Sequence, residues 1–205
     1  MIPAALAGFG LSLSIIVALG AQNAFVLRQG LRREHVGIVV AICTVSDALL
    51  IAAGVAGLGY VLEMVPWLAN ATRWLGAAFL VAYGLLAAWR ALWGKGEGLA
   101  PAAGGAGGTA ALGPVVLLTL AMTWLNPSVY LDTAFIIGSV AATHGTAKWA
   151  FAVGAMTGSA MWFTALGFGA RYLARWLRTP RSWRYLDGVI ALLLFYTAAR
   201  LAVGH

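Results

Sequence analysis

The chain contains runs without a charged side chain that are too long for a small soluble domain. One covers the 26 residues from Ile2 to Leu27, and another covers the 22 residues from Trp149 to Ala170. A helix needs about 20 apolar residues to cross the hydrocarbon of a bilayer, and both runs reach that length. Only 9% of the 205 residues are charged, whereas soluble proteins have roughly 25%. The sequence therefore predicts an all-α integral membrane protein, because strict strand-like alternation is missing.

Six transmembrane helices account for the apolar segments. They are predicted at Ile2–Leu27, Val36–Leu62, Thr72–Ala91, Leu112–Thr143, Trp149–Ala170 and Tyr185–Val203. The segment Gly94–Gly113, mostly Gly and Ala, indicates a flexible linker after the third helix. The predicted units are a three-helix half at 1–93, the linker at 94–113 and a second three-helix half at 114–205. Because each half has an odd number of spans, we expect two inverted repeats, with helices 1 and 4 broken.

The basic residues are distributed unevenly between the predicted loops. Ten lie on one side, namely Arg28, Arg32, Arg33, Arg90, Lys95, Arg171, Arg175, Arg178, Arg181 and Arg184, and three lie on the other, namely Arg73, Lys148 and Arg200. Cytoplasmic loops carry the excess of Lys and Arg, so we predict the ten and the linker in the cytoplasm and both termini outside. The net charge of +7 is thereby explained without a nucleic-acid partner. Membrane lipids are the expected partners of the arginine-rich loop.

Asp47 is a carboxylate inside the second predicted span. It lies eleven residues after Val36, which is roughly 16 Å along a helix and therefore near the bilayer midplane. An ionised carboxylate there costs about 2.5–3.5 kcal/mol or more, so a cation, a proton or a partner side chain must compensate it. The structural alternative is an interhelical hydrogen bond or ion pair. Because intramembrane carboxylates usually serve function, Asp47 is interpreted as a site residue.

The fourth predicted span is too long for one straight crossing. A continuous helix over Leu112–Thr143 would extend about 48 Å against a core of about 30 Å. Asn126 and Pro127 supply a break, and proline has no N–H to pair with the carbonyl of Thr123. A carbonyl freed in this way must face protein or a watery cavity. Asp132 follows as a second buried carboxylate, although a proline kink that only shapes packing is the alternative reading.

Gln22 and Asn23 are amides in the otherwise apolar first span. Each side chain can donate and accept hydrogen bonds, which suits the ammonium and carboxylate groups of a zwitterion. The alternative is a structural bond between helices, worth about 0.6 kcal/mol on average. Both are retained as candidate binding residues.

Other classes of site find little support in the sequence. His35, His144 and His205 lie in loops or near segment ends, and Cys43 is the single cysteine. A metal site or a nucleophilic enzyme is therefore not expected. A phosphate-binding glycine loop is also missing, so we expect neither a nucleotide nor another cofactor.

Three stretches carry a resemblance to a known family. They are Gly20-Ala21-Gln22-Asn23-Ala24-Phe25-Val26-Leu27-Arg28-Gln29-Gly30, then Cys43-Thr44-Val45-Ser46-Asp47 with Gly54 and Gly57, and finally Thr123-Trp124-Leu125-Asn126-Pro127-Ser128-Val129-Tyr130-Leu131-Asp132-Thr133 with Gly138-Ser139. These stretches resemble the LysE/ArgO family of lysine and arginine exporters, within the LysE superfamily, and the similarity covers the whole chain. The resemblance implies export of cationic amino acids across the bacterial cytoplasmic (inner) membrane, with both aspartates essential.

These observations lead to one mechanistic hypothesis. Asp47 and Asp132 flank a midplane cavity and hold the cationic side chain of the substrate. The amides of Gln22, Asn23 and Asn126, with the Thr123 carbonyl freed by Pro127, bind its α-amino and α-carboxyl groups. One proton entering for each cation leaving cancels the electrical cost of export, about 2.3 kcal/mol per 100 mV.

Two alternatives to this function remain. The chain could export neutral amino acids, or it could carry a small inorganic cation that also needs buried carboxylates. A homodimer is compatible with the sequence.

Overall fold

The computed structural model describes residues 1–17, 20–57, 66–93, 111–126, 129–173 and 180–203. Within these ranges the chain is helical and contains no strand, which confirms the all-α prediction. The helices are α1 (Ile2–Ile16), α2 (Ala21–Arg32), α3 (Val36–Ala56), α4 (Pro66–Trp93), α5 (Leu112–Trp124), α6 (Tyr130–Ala142), α7 (Lys148–Leu173) and α8 (Pro180–Val203). Helix α6 has π-helical geometry over Tyr130–Ile137, and a short 3-10 turn at Gly145–Ala147 precedes α7.

The described helices include clear candidates for membrane spans. Three are long and apolar enough to cross a bilayer, namely Val36–Ala56, Trp74–Trp93 and Gly145–Tyr172. Helices α1 and α2 meet at 83° and would count as a fourth, bent span. Helices α5 and α6 are apolar but shorter. Six spans and their repeat therefore stay a prediction.

Helices end at both places where the sequence predicts a break. Helix α1 stops at Ile16 and α2 starts at Ala21, close to the two predicted amides. Helix α5 stops at Trp124, whose carbonyl accepts a 2.8 Å hydrogen bond from the Tyr130 hydroxyl across the gap. Pro127 and most of the predicted linker lie outside the described residues. The end of α5 is thus tied to the start of α6 by a side chain.

Glycines allow the helices around the centre to touch backbone to backbone. A Cβ atom added to Gly54 on α3 would lie 2.6 Å from the Cα of Ala134 on α6, and one on Gly138 would lie 2.7 Å from the Gly54 carbonyl oxygen. Helices α1 and α7 approach in the same way, since a side chain at Gly154 would collide with the Ala5 carbonyl. Small residues permit such close contact in membrane helices. The two helices that carry Asp47 and Asp132 are therefore held directly against each other.

The two ends of the bundle differ in their charged contacts. At one end, here called the arginine end, Arg28 on α2 pairs with Asp187 on α8 over 3.1 Å. Arg184 at the same end donates to the carbonyls of Ala91 and Leu92, where α4 finishes. At the opposite end, here called the lysine end, the Lys148 ammonium contacts the Val55 carbonyl at 3.5 Å. Most described arginines thus gather at one end, and the side of the membrane that this end faces stays a prediction.

Candidate functional site

A polar cavity lies among the apolar helices. Its volume is about 400 Å³, and α1, α2, α3, α6, α8 and the segment after α5 contribute to its wall. Its polar lining includes Gln22, Asn23, Asp47, Asn126, Asp132 and Arg200. Small-molecule sites have cavities of roughly 300–1,000 Å³, so this one could hold a single small solute.

The cavity brings together five of the seven predicted site residues, from both predicted halves of the chain. Thr123 is not among the residues that line it. That side chain is fully buried, and its hydroxyl donates to the Thr119 carbonyl over 3.0 Å. Pro127 lies outside the described residues. The structure therefore places carboxylates and amides at the cavity but leaves Thr123 inside the helix packing.

Asp47 lines the cavity, and one of its two carboxylate oxygens is bonded to a protein partner. The side chain is 1% exposed, and its Oδ2 accepts a 2.7 Å hydrogen bond from Ser159 on α7. Its Oδ1 has no hydrogen-bond partner among the described residues. The Nε2 amide of Gln22 likewise has no oxygen acceptor in that part of the chain, and the Cys43 thiol is the polar group that it faces. A buried polar atom without a partner is costly, so these two atoms are suited to a bound polar solute.

Asn23 holds the bend between the first two helices. Its Nδ2 donates to the carbonyl of Ile16, at the end of α1, over 2.6 Å. Its Oδ1 accepts a hydrogen bond from the indole of Trp162 on α7 at 3.2 Å. The amide therefore joins α1, α2 and α7 at the cavity wall, which is a positioning role.

Asp132 faces a cation that the sequence analysis did not assign to the site. The carboxylate is half-buried, and Arg200 on α8 lines the same cavity and interacts with it electrostatically. The sequence placed Arg200 with the outer residues, and its distance along the chain from Asp132 offers no local signal. Ser159 was also missed, although a serine inside a charge-free run is itself a weak signal. Nowhere in the described ranges, the cavity included, do three His, Cys, Asp or Glu side chains come together as a metal site would require.

Packed side chains separate the cavity from the arginine end. Phe25 and Val26 follow the cavity amides on α2 and are buried in the main apolar core. The Phe25 ring meets the Tyr83 ring edge-on at 6.5 Å. The buried ion pair of Arg28 and Asp187 lies one turn further along α2. The cavity therefore belongs to the half of the bundle nearer the lysine end.

Two carboxylates and several amides around a cavity inside apolar helices are typical of a membrane transporter. The chain belongs to the family described as LysE type translocator, whose model matches residues 13–205. This match confirms the resemblance found in the sequence. Together with the apolar helices, it makes the chain a multi-pass membrane protein of a transporter family.

Individual relatives cover almost the whole chain. A Mycobacterium tuberculosis (strain H37Rv) protein, provisionally named an amino-acid transporter, is 44% identical over 191 residues, covering 93% of this chain and 92% of the relative. The arginine exporter protein ArgO of Yersinia enterocolitica is 39% identical and covers 98% and 97%. The lysine exporter LysE of Corynebacterium diphtheriae is 34% identical and covers 96% and 97%. No solved structure matches the chain.

Proposed function

We propose that the protein is a secondary active exporter of cationic amino acids, arginine and lysine, which leave the cytoplasm in exchange for protons. The observation that carries the proposal is the shared cavity of Asp47 and Asp132, two carboxylates in apolar surroundings. Relatives named arginine exporter and lysine exporter support this substrate class.

The cavity offers a partner for each part of such a solute. The unpaired Oδ1 of Asp47 and the carboxylate of Asp132 accept hydrogen bonds from a guanidinium or an ammonium group. The amides of Gln22 and Asn126 complete the polar lining. Asn23 keeps the wall in place through the bend that it closes.

Proton exchange follows from the electrical cost of moving a cation out of the cell. Export of one positive charge against an inside-negative potential costs about 2.3 kcal/mol per 100 mV. A carboxylate that holds the cation on the way out and a proton on the way back makes the cycle electroneutral. Asp47 and Asp132 are the residues that could alternate in this way.

The proposed topology has six spans in two inverted halves, with both termini outside and the arginine end in the cytoplasm. In that orientation, the lysine end and the cavity face the outside. The packed layer around Phe25 and the ion pair of Arg28 with Asp187 then close the cytoplasmic path. The conformation described here is the one from which substrate would leave the cell.

Counterflow in proteoliposomes tests the function. Vesicles preloaded with lysine or arginine should accumulate labelled arginine, and unlabelled lysine should compete far better than norleucine, its neutral analogue. A site built for a charge loses about tenfold or more in affinity when that charge is missing. Equal competition by norleucine would favour a neutral amino-acid exporter, and exchange of a labelled metal ion would favour an inorganic cation.

A further inference from the structure

We propose that Arg200 binds the α-carboxylate of the transported amino acid, so that the transporter selects amino acids against amines that lack this group. The inference rests on the proposed function and adds a residue that determines specificity. It starts from the position of Arg200 in the wall of the cavity that also contains Asp47 and Asp132.

Helix α8 presents one polar face to the cavity. Tyr196, Thr197 and Arg200 all line it, and their spacings of three and four residues place them on the same side of a helix. The Thr197 hydroxyl already donates to the Leu193 carbonyl over 2.8 Å. On this face, the Arg200 guanidinium is therefore the cationic group that can bind an anionic group of the solute.

The charges that line the cavity complement those of a basic amino acid one by one. Among the described residues that line it, two side chains are acidic, Asp47 and Asp132, and one is basic, Arg200. Arginine and lysine carry the opposite set, with two cationic groups and one carboxylate. A decarboxylated diamine has no anionic group for Arg200, and it would bring two cations into a cavity that already holds one.

The electrostatic partnership of Arg200 with Asp132 is compatible with this role. A guanidinium has five N–H donors in a planar fork, and a carboxylate takes at most two of them in a bidentate pair. Arg200 is exposed and Asp132 is only half-buried, so a solute can approach both. Bound between them, the α-carboxylate and a cationic group of the solute would replace part of that mutual interaction.

The experiment compares lysine with cadaverine, which is lysine without its carboxylate, as competitors of labelled lysine counterflow in proteoliposomes. Wild-type protein should prefer lysine by about tenfold to a hundredfold, the range for hydrogen bonds between charged groups. Arg200→Gln should lower the apparent affinity for lysine by that factor. The apparent affinity for cadaverine should stay the same or rise. Arg200→Lys keeps the charge without the fork and should retain an intermediate preference.

The control is Lys148→Gln, which removes one positive charge at the same end of the bundle. Lys148 contacts the Val55 carbonyl and does not line the cavity, so the preference for lysine should stay at the wild-type value. Equal competition by lysine and cadaverine in the wild type would overturn the inference, whatever the folding of the variants. An equal loss of apparent affinity for lysine and for cadaverine in Arg200→Gln would also overturn the inference. Wild-type vesicles that exchange neither lysine nor arginine would instead refute the proposed function.

Discussion

The Ser159 hydroxyl on α7 donates to the Asp47 carboxylate on α3 over 2.7 Å, although 112 positions separate the two residues in the chain. Both side chains are buried, at 0% and 1% exposure. The hydrogen bond occupies one oxygen of the carboxylate, and the other oxygen has no hydrogen-bond partner among the described residues. Helix α7 therefore helps to fix the orientation of Asp47 in the cavity wall.

Removal of this donor should impair transport without removing the carboxylate. Ser159→Ala leaves the Oδ2 atom of Asp47 buried without its partner, and a hydrogen bond to a charged group is worth about 1.5–3 kcal/mol. We expect the apparent affinity for arginine to fall by about tenfold or more in counterflow. The control is Thr157→Ala on the same helix, because the Thr157 hydroxyl is exposed and donates only to the Val153 carbonyl. Wild-type affinity in Ser159→Ala would show that the hydrogen bond does not orient Asp47 for binding.

The charge of Asp47 itself should be indispensable. Asp47→Asn preserves shape and most hydrogen bonding while removing the charge and the titration. Net export should cease, and the response to an imposed pH gradient should disappear. Asp132→Asn should lose net export, the response to the pH gradient, or both. Which of them is lost shows whether Asp132 serves substrate binding or proton coupling.

The control for the aspartate variants is Glu34→Gln, because Glu34 pairs with Arg32 over 3.3 Å at the arginine end and does not line the cavity. Each variant should be quantified in the membrane before its transport is compared. A correctly inserted Asp47→Asn protein that exports arginine at the parental rate with the same pH response would contradict the mechanism.

The bend between α1 and α2 should depend on the Asn23 amide. Asn23→Ala removes the bonds to the Ile16 carbonyl and to the Trp162 indole, and each buried group left without a partner costs about 1–3 kcal/mol. We expect a lower midpoint of thermal unfolding in detergent, followed by circular dichroism. Trp162→Phe removes only one of the two bonds and should have the smaller effect. An unchanged midpoint in Asn23→Ala would mean that other contacts hold the bend.

The ion pair of Arg28 and Asp187 should stabilise the arginine end. Its side chains are only 12% and 9% exposed, and loss of one partner from a buried pair costs about 3–5 kcal/mol. Arg28→Gln and Asp187→Asn should each lower the unfolding midpoint, and the exchanged pair Arg28→Asp with Asp187→Arg should recover part of the loss. Arg171→Gln is the control, since the Arg171 side chain is exposed and bonds only to its neighbour Tyr172. If a double variant of Arg28→Gln with Asp187→Asn loses as much stability as the two single variants together, the two residues are not directly coupled.

Cysteine labelling tests the orientation. In a Cys43→Ala background, an impermeant thiol reagent applied to intact cells should label Thr146→Cys but neither Gly107→Cys nor Arg178→Cys. The reason is the excess of Lys and Arg in the segments predicted to be cytoplasmic. Permeabilised cells should label all three positions, which checks reactivity. Labelling of Arg178→Cys in intact cells would reverse the topology.

Much of the architecture was readable from local sequence, because a membrane imposes local rules. A charge-free run of sufficient length has to be a helix, since its backbone groups find no water inside the bilayer. A carboxylate such as Asp47 is conspicuous there because of its desolvation cost. The excessive length of Leu112–Thr143 in the same way indicated the break that separates α5 from α6. The prediction of an all-α integral membrane protein and of its candidate carboxylates followed from these features.

Only the tertiary structure decided which groups share the cavity. Arg200 and Ser159 lie far along the chain from Asp132 and Asp47, and no spacing rule connects residues on helices that meet only after folding. Thr123 was predicted to offer the cavity a carbonyl freed by Pro127, yet it lies within the helix packing and is not among the residues that line the cavity. The cost of burying a polar group can be read from one helix, whereas the partner that offsets this cost depends on how all the helices pack.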